Sequence, residues 1–309
     1  MTLTEHEPSE PVTTRRAVLL VNSKSRSGAE LFGRAQTELG AAKGVELVKA
    51  FQFRSVDRLI AACQSAVTEK MPLVIIGGGD GTINACAGIL AHSQTTMGVL
   101  PLGTGNAFAH DLEIPIDVTQ ACEVIRTGRE VEVDLGKIEK RYFVNVATVG
   151  LTTEIAKQLT DGLKKRLGRL AYGIAIVRAI KRLEPFHARL ETENGVTEFE
   201  CLQVVIGNGR YHGGPFPVLP GASLQKGKFG IYALTGCRRS ELIKFALFLP
   251  GGNHAKLDEV HVEYACGGTL TTTPIRKVTV DGEIALQTPV HFDALPGALK
   301  VLVPTPSEE

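Results

Sequence analysis

The apolar stretch Leu73-Val74-Ile75-Ile76 runs straight into Gly77-Gly78-Gly79-Asp80-Gly81-Thr82, and then into a segment whose Ile83, Ala87 and Leu90 fall at helical spacing. That order reads as a buried strand, a glycine turn and a helix opening near Thr82, which commits this part of the chain to an α/β unit. Glycine backbones admit an anion that a Cβ would hold away, and a helix N-terminus adds the positive end of its dipole. A carboxylate in such a turn would repel bare phosphate, so Asp80 reads as the partner of a Mg²⁺ lying between the two. The competing reading is a tight turn whose Asp merely caps the helix.

A second turn repeats the pattern. Met97 to Leu100 is a short apolar run, followed by Pro101-Leu102-Gly103-Thr104-Gly105-Asn106 and a helical Ala107-Phe108-Ala109. Two such turns at the C-terminal ends of neighbouring strands line one crevice, the usual ligand position in an open α/β sheet. Gly78, Gly79, Gly81, Gly103 and Gly105 then form a backbone cradle, with Thr104 and Asn106 as polar partners of a nucleotide. Near the start, Ala17 to Val21 runs into Asn22-Ser23-Lys24-Ser25-Arg26-Ser27-Gly28. Lys24 and Arg26 answer phosphate charge there, or form a solvated basic loop.

A chain of 309 residues has room for two domains. With 34 basic and 33 acidic residues it carries no global field that would favour nucleic acid. Six scattered cysteines without a C-x-x-C pair argue against a zinc site or a disulfide framework and read as free thiols in a reducing cytoplasm. The acidic, proline-containing start is expected to be a disordered tail over residues 1–15, not a signal peptide. The longest apolar candidate, Leu242 to Leu249, is broken by Lys244 and stopped by Pro250, so no membrane span is expected.

From Arg16 to about Gly128, strand-like and helix-like stretches alternate, which predicts a parallel sheet with helical cover. Strands are expected at Val18–Val21, Val45–Phe51, Leu73–Ile76 and Met97–Leu100, and helices at Ala29–Ala41, Val56–Thr68, Ile83–His92 and Val118–Thr127. Beyond Glu130 the texture changes to short β-type runs, including Tyr142–Thr148, Phe199–Ile206, Phe229–Leu234 and Lys277–Val280. These predict a mainly antiparallel β-sandwich interrupted by helices near Leu163–Leu183 and Ser240–Leu249. Asp281-Gly282-Glu283 lies between Val278-Thr279-Val280 and Ile284-Ala285-Leu286. That is a strong hairpin signal, although a turn also presents carboxylates.

Taken together, Gly78 to Thr82, Pro101-Leu-Gly-Thr-Gly-Asn106, Val133-Asp134-Leu135-Gly136 and Asp281-Gly282-Glu283 resemble the diacylglycerol kinase catalytic-domain family of soluble lipid kinases. That family is related to the sphingosine kinases and more distantly to the NAD kinases. The resemblance runs from about Arg16 to Pro304. It implies a nucleotide-binding α/β domain over 16–136, rejoined by residues near 298–304, and a β-rich lipid-substrate domain over 137–297. It implies ATP and Mg²⁺, with Asp80 and Asp134 in an acidic metal network, Asp281 as general base and Glu283 near metal and nucleotide. Asn22, Lys24, Thr82 and Lys165 join the glycines as nucleotide contacts, Lys165, with Lys164 adjacent, through the segment Lys164-Lys165-Arg166-Leu167-Gly168-Arg169-Leu170-Ala171-Tyr172, which is similar to the family's Lys-x-x-Leu-Gly-x-x-Ala-Tyr. The same segment, with Arg178, Lys181 and Arg182, reads as a cationic helix for an interface or as an ordinary amphipathic helix. The implied partner is a lipid at a membrane surface, met by a cytoplasmic protein visiting that surface.

Three positions depart from the family pattern. Ala107 stands where the family usually has an Asp, as it does in sphingosine kinases, which removes one carboxylate of the metal network. Gln225-Lys226 replaces an acidic pair before Gly227, so a second, structural Mg²⁺ is not expected. Ser23 replaces a common proline. The leading expectation is an ATP-dependent kinase acting on a hydroxyl of a diacylglycerol-like or sphingoid lipid. The alternatives are an NAD kinase-like enzyme and a catalytically weak lipid- or nucleotide-binding regulator. Which lipid, and which oligomeric state, the residues do not say.

Overall fold

The computed structural model describes residues 14–23, 28–40, 44–151, 153–154, 184–212, 216–219, 221–235, 239–248 and 252–306. Lys24, Arg26, Lys165 and the expected helix over 163–183 lie outside these residues, as does nearly all of the expected tail.

Four strands, β1 (Arg15–Asn22), β2 (Val45–Phe53), β3 (Leu73–Gly78) and β4 (Thr96–Pro101), form a parallel sheet in the order β2-β1-β3-β4. Every residue of β3 and β4 is buried, which is why both read as continuous apolar runs: a central parallel strand is covered on both faces. The covering helices are α1 (Gly28–Gly40), α2 (Val56–Thr68), α3 (Asp80–Leu90), the short α4 (Ala107–Asp111) and α5 (Val118–Thr127). Asp117 starts α5 by accepting the N–H groups of Thr119 and Gln120 at 3.0 and 3.1 Å.

Next come β5 (Arg129–Ile138), β6 (Arg141–Phe143), β7 (Val146–Gly150), β8 (Phe186–Thr192), β9 (Gly195–Cys201) and β10 (Gln203–Gly207). A small ribbon, β11 (Tyr211–His212) with β12 (Phe216–Pro217), precedes β13 (Phe229–Leu234) and helix α6 (Arg239–Phe248). The chain ends with β14 (Val260–Ala265), β15 (Gly267–Thr273), β16 (Lys277–Val280), β17 (Glu283–Gln287) and the 14-residue β18 (Val290–Val303). Six strands form a wholly antiparallel second sheet, β14-β13-β10-β7-β16-β17.

The first sheet does not stop at β4. β18 lies beside it in parallel, with Val301 opposite Met97, and runs antiparallel to β5 from Phe292 opposite Ile138 to Val303 opposite Arg129. The N-terminal half of β18 pairs with β15, and β8 and β9 follow, so one ten-stranded sheet continues into the sandwich. Three phenylalanines fill the sandwich interior: Phe229 stacks on Phe143 at 5.6 Å and meets Phe292 edge-on at 5.7 Å. Gly136 is required by that packing, because a Cβ there would stand 2.2 Å from the Phe143 ring.

Two expected strands are broken. Tyr142–Thr148 divides into β6 and β7 around Val144-Asn145, and Phe199–Ile206 divides at Leu202, where the chain leaves one sheet for the other. β15 was not expected, whereas β17 is the second strand of the hairpin that Asp281-Gly282 signals.

Candidate active site

The site forms where the C-terminal ends of β1, β3 and β4 meet the second sheet. α3 begins two residues earlier than its apolar spacing suggests, so Asp80 occupies its first position, with Gly79 as N-cap. There its negative charge complements the helix dipole. Asp80 Oδ1 accepts the Ala107 N–H at 2.7 Å, which ties the first glycine turn to the second. At position 107 it is therefore backbone, not side chain, that meets Asp80.

The paired glycines have a packing reason. A Cβ on Gly103 would lie 2.6 Å from the Gly79 Cα, and one on Gly78 would lie 2.6 Å from the Thr82 Cβ. Leu102 N–H donates to the Gly78 carbonyl at 2.9 Å, completing the contact between turns. Gly81 differs: nothing lies within 4 Å of where its Cβ would be, so its surface is open to an approaching group. Asn106, at φ +50°, locks the second turn by accepting the Gly103 N–H and donating to the Gly103 carbonyl, both at 2.9 Å. Thr104 at the turn's tip is exposed. Asn22 Nδ2 donates to Thr82 Oγ1 at 2.9 Å, which pins the end of β1 to the first turn of α3.

Asp281 and Gly282 have φ of +43° and +89°, a two-residue hairpin turn joining β16 to β17. The hairpin and the active-site reading of this motif are thus one object. The turn carries the Asp281 carboxylate onto three successive backbone N–H groups: Val144 to Oδ2 at 2.9 Å, and Asn145 and Val146 to Oδ1 at 3.0 and 2.8 Å. Burial pushes its pKa up to about 6; the three N–H groups oppose that rise and the nearby charge of Asp80 adds to it. The Asp80 carboxylate is thus near enough for Asp281 to feel its charge. Glu283, the first residue of β17, is exposed beside the turn.

Asp134 has backbone partners of its own. It is 4 % exposed, and its oxygens accept the Gly227 N–H at 2.6 Å and the Gly297 N–H at 3.0 Å. The structure thus employs the Val-Asp-Leu-Gly carboxylate as a clamp holding the 224–227 turn and the bend of β18 against β5. Lys226 Nζ donates to the Gly221 carbonyl at 3.0 Å in the same turn.

Three asparagines stand out that sequence reasoning gave no role. Asn208 Nδ2 donates to the carbonyls of Asp134 (2.9 Å) and Val144 (3.1 Å), and its N–H to the Asn145 carbonyl at 2.8 Å. It fixes the segment that holds Asp281. Asn84 and Asn145 each bury a side-chain Oδ1 that accepts no hydrogen bond. Asn84 could have been found from its spacing, four residues after Asp80; Asn145 only from the fold.

Residues 16–138 match the family described as diacylglycerol kinase catalytic domain, and residues 145–303 match the YegS C-terminal NAD kinase beta sandwich-like domain. A diacylglycerol kinase of Staphylococcus carnosus (strain TM300) is 30% identical over 294 residues, covering 94% of this chain and 95% of its own. The chain belongs to the diacylglycerol kinase catalytic-domain family. A diacylglycerol kinase of Staphylococcus aureus (strain Newman) is 28% identical, with 94% of this chain and 93% of that protein aligned. A solved chain from Bacillus anthracis (strain Sterne) superposes with a TM-score of 0.80 at 25% identity, covering 94% of this chain and 97% of that one. Another from the same organism gives 0.73 at 21%, evidence for the fold alone. The α/β domain followed by an antiparallel sandwich is thus the family architecture.

Proposed function

We propose that this diacylglycerol kinase-family protein transfers the γ-phosphoryl group of ATP to a hydroxyl of a diacylglycerol-like or sphingoid lipid. The observation that carries the reading is Asp281, anchored by three backbone N–H groups near Asp80 and the open Gly81 turn. Phosphoryl transfer asks a protein mainly to position phosphate, stabilise charge and orient the nucleophile. In this reading the ATP phosphates lie against Gly81 and Thr104, an assignment supported by the open space at the one and the exposure of the other. The Asp281 carboxylate orients the lipid hydroxyl and takes its proton as the oxygen bonds to the γ-phosphorus and ADP leaves. A raised pKa suits that task, because the group is ionised at neutral pH yet basic enough to accept the proton.

A divalent cation bound here would neutralise charge on the transferring phosphates. Among the described residues no three His, Cys, Asp or Glu side chains converge on a metal position by themselves. The chemistry of the neighbouring donors suits a hydrated Mg²⁺: the Asp80 and Asp281 carboxylates and the two orphaned amide oxygens of Asn84 and Asn145. Mg²⁺ accepts such a site, since it keeps several of its waters.

No helix among the described residues is long and apolar enough to cross a membrane; in this reading the lipid is met by peripheral docking at a membrane surface. Incubation with labelled ATP, Mg²⁺ and a panel of diacylglycerol and sphingoid lipids in vesicles tests the proposal. Label is expected in one lipid class. Retained ATP binding with label in no lipid would replace the kinase reading by a regulator, the outcome that Ala107 keeps in play.

A further inference from the structure

The buried amide oxygens of Asn84 and Asn145 remain unexplained by any role in the fold. An acceptor sealed from water without a donor costs on the order of 1–3 kcal/mol, so native structures rarely keep one without a ligand or water to meet it. One lies on the helix that opens with Asp80, and the other on the segment whose N–H groups hold Asp281. Asp80, Asn84 and Gly88 follow one another at four-residue intervals on α3 and so share a face of that helix. The Gly88 end of that face lies against Tyr142, whose atoms would be 3.3 Å from a Cβ at Gly88. The Asp80 end is close enough to Asp281 for its charge to be felt there, and Asp281 is held by the N–H groups of Val144, Asn145 and Val146. Asn84 therefore stands opposite the short segment between Tyr142 and Val146, which contains Asn145.

Two neighbouring segments thus carry four oxygen-bearing side chains: two carboxylates, and two amides whose oxygens lack a hydrogen-bond donor. Uncharged amide oxygens are hard donors, suited to Mg²⁺, Mn²⁺ or the waters around them, and poorly suited to the phosphate oxygens of a nucleotide. The N–H of Ala107 caps Asp80 and brings no oxygen of its own.

We infer that Asn84 and Asn145 complete the divalent-cation site of this chain, their amide oxygens meeting the cation or its water shell beside Asp80 and Asp281. The inference rests on the kinase reading only for the identity of the cation, because the donor set exists independently of any lipid. Replacing a carboxylate by amides leaves the site less negative. Its affinity then depends on two residues outside the acidic motifs.

Binding of free Mn²⁺, followed by electron paramagnetic resonance without nucleotide, tests this on the full chain. Asn84→Ala and Asn145→Ala are each expected to weaken Mn²⁺ binding about tenfold or more, with far-ultraviolet circular dichroism confirming the fold. Asn145→Asp, which offers only oxygen, is expected to tighten it, and serves where Asn145→Ala fails to fold. Unchanged Mn²⁺ affinity in Asn84→Ala, or weaker binding in Asn145→Asp, would overturn the inference. So would a wild-type chain that takes up no Mn²⁺. Failure of the kinase reading shows separately, as asparagine-dependent Mn²⁺ binding by a protein that labels no lipid.

Discussion

At the scale of single residues, Asp281 does two jobs that one substitution separates imperfectly. Asparagine there keeps one acceptor oxygen but turns an N–H donor toward the backbone N–H groups that the carboxylate now satisfies. Asp281→Asn is expected to lower lipid phosphorylation by about 10²–10⁴ and to reduce stability by about 1–3 kcal/mol. Steady-state kinetics and urea unfolding on the same preparation check both. Full activity in the variant would remove Asp281 as the base. Asp111 offers a second residue-scale test. Burial raises its pKa to about 7, against the opposing N–H groups of Arg210 (2.7 Å) and Tyr211 and the Arg210 charge. The folded chain holds this proton more tightly than the unfolded one. Its contribution is therefore complete below about pH 4 and is lost as pH rises through about 7, with a slope of at most about 1.4 kcal/mol per pH unit. Asp111→Asn should flatten the dependence of unfolding free energy on pH between 5 and 7, and an unaltered profile would contradict the assignment.

At the scale of elements, the two glycine turns make opposite predictions. Gly103→Ala brings a Cβ to 2.6 Å from the Gly79 Cα, so it should destabilise the chain and separate the turns. Gly81→Ala meets open space inside α3 and should stabilise the fold by up to about 1 kcal/mol through helix propensity. It should nonetheless weaken ATP binding, measured by calorimetric titration, because the added methyl occupies the side on which phosphate approaches. Unchanged ATP affinity in Gly81→Ala would place the phosphates elsewhere. The turns and strands of this half were legible because fully buried strands and glycine turns write themselves into local sequence. The sandwich was less so. Val144-Asn145 interrupts an apolar run because its N–H groups serve a carboxylate 136–137 positions away rather than a neighbouring strand. Leu202 marks a change of sheet that no local periodicity records. β15 is a Gly- and Thr-rich run without apolar alternation. The site divides in the same way. Asp80 and Asp281 follow from motifs, whereas the clamp role of Asp134 and the orphaned oxygens of Asn84 and Asn145 emerge only from pairings distant in sequence.

At the scale of the whole molecule, β18 belongs to both halves. Phe292 sits in the sandwich core, whereas Leu299, Val301 and Leu302 sit in the core beneath the parallel sheet. Heating should therefore produce one calorimetric transition, with equal calorimetric and van't Hoff enthalpies, instead of separate melting of two domains. Two resolved transitions would show that the shared strand does not couple them. A fragment ending at residue 138 should fail to fold cooperatively, since it leaves β4 and β5 without the strand that lies between them.

The bend of β18 has a further consequence for how the enzyme works. Its ladder to β5 changes register between Leu295 and Leu299, at Pro296-Gly297, and Asp134 grips the Gly297 N–H there. A kinase whose halves swing about a flexible linker closes on its nucleotide by rotation. Here the crossing from one half to the other is a hydrogen-bonded ladder pinned at its weakest step. Rotation of one half against the other would have to strain that ladder.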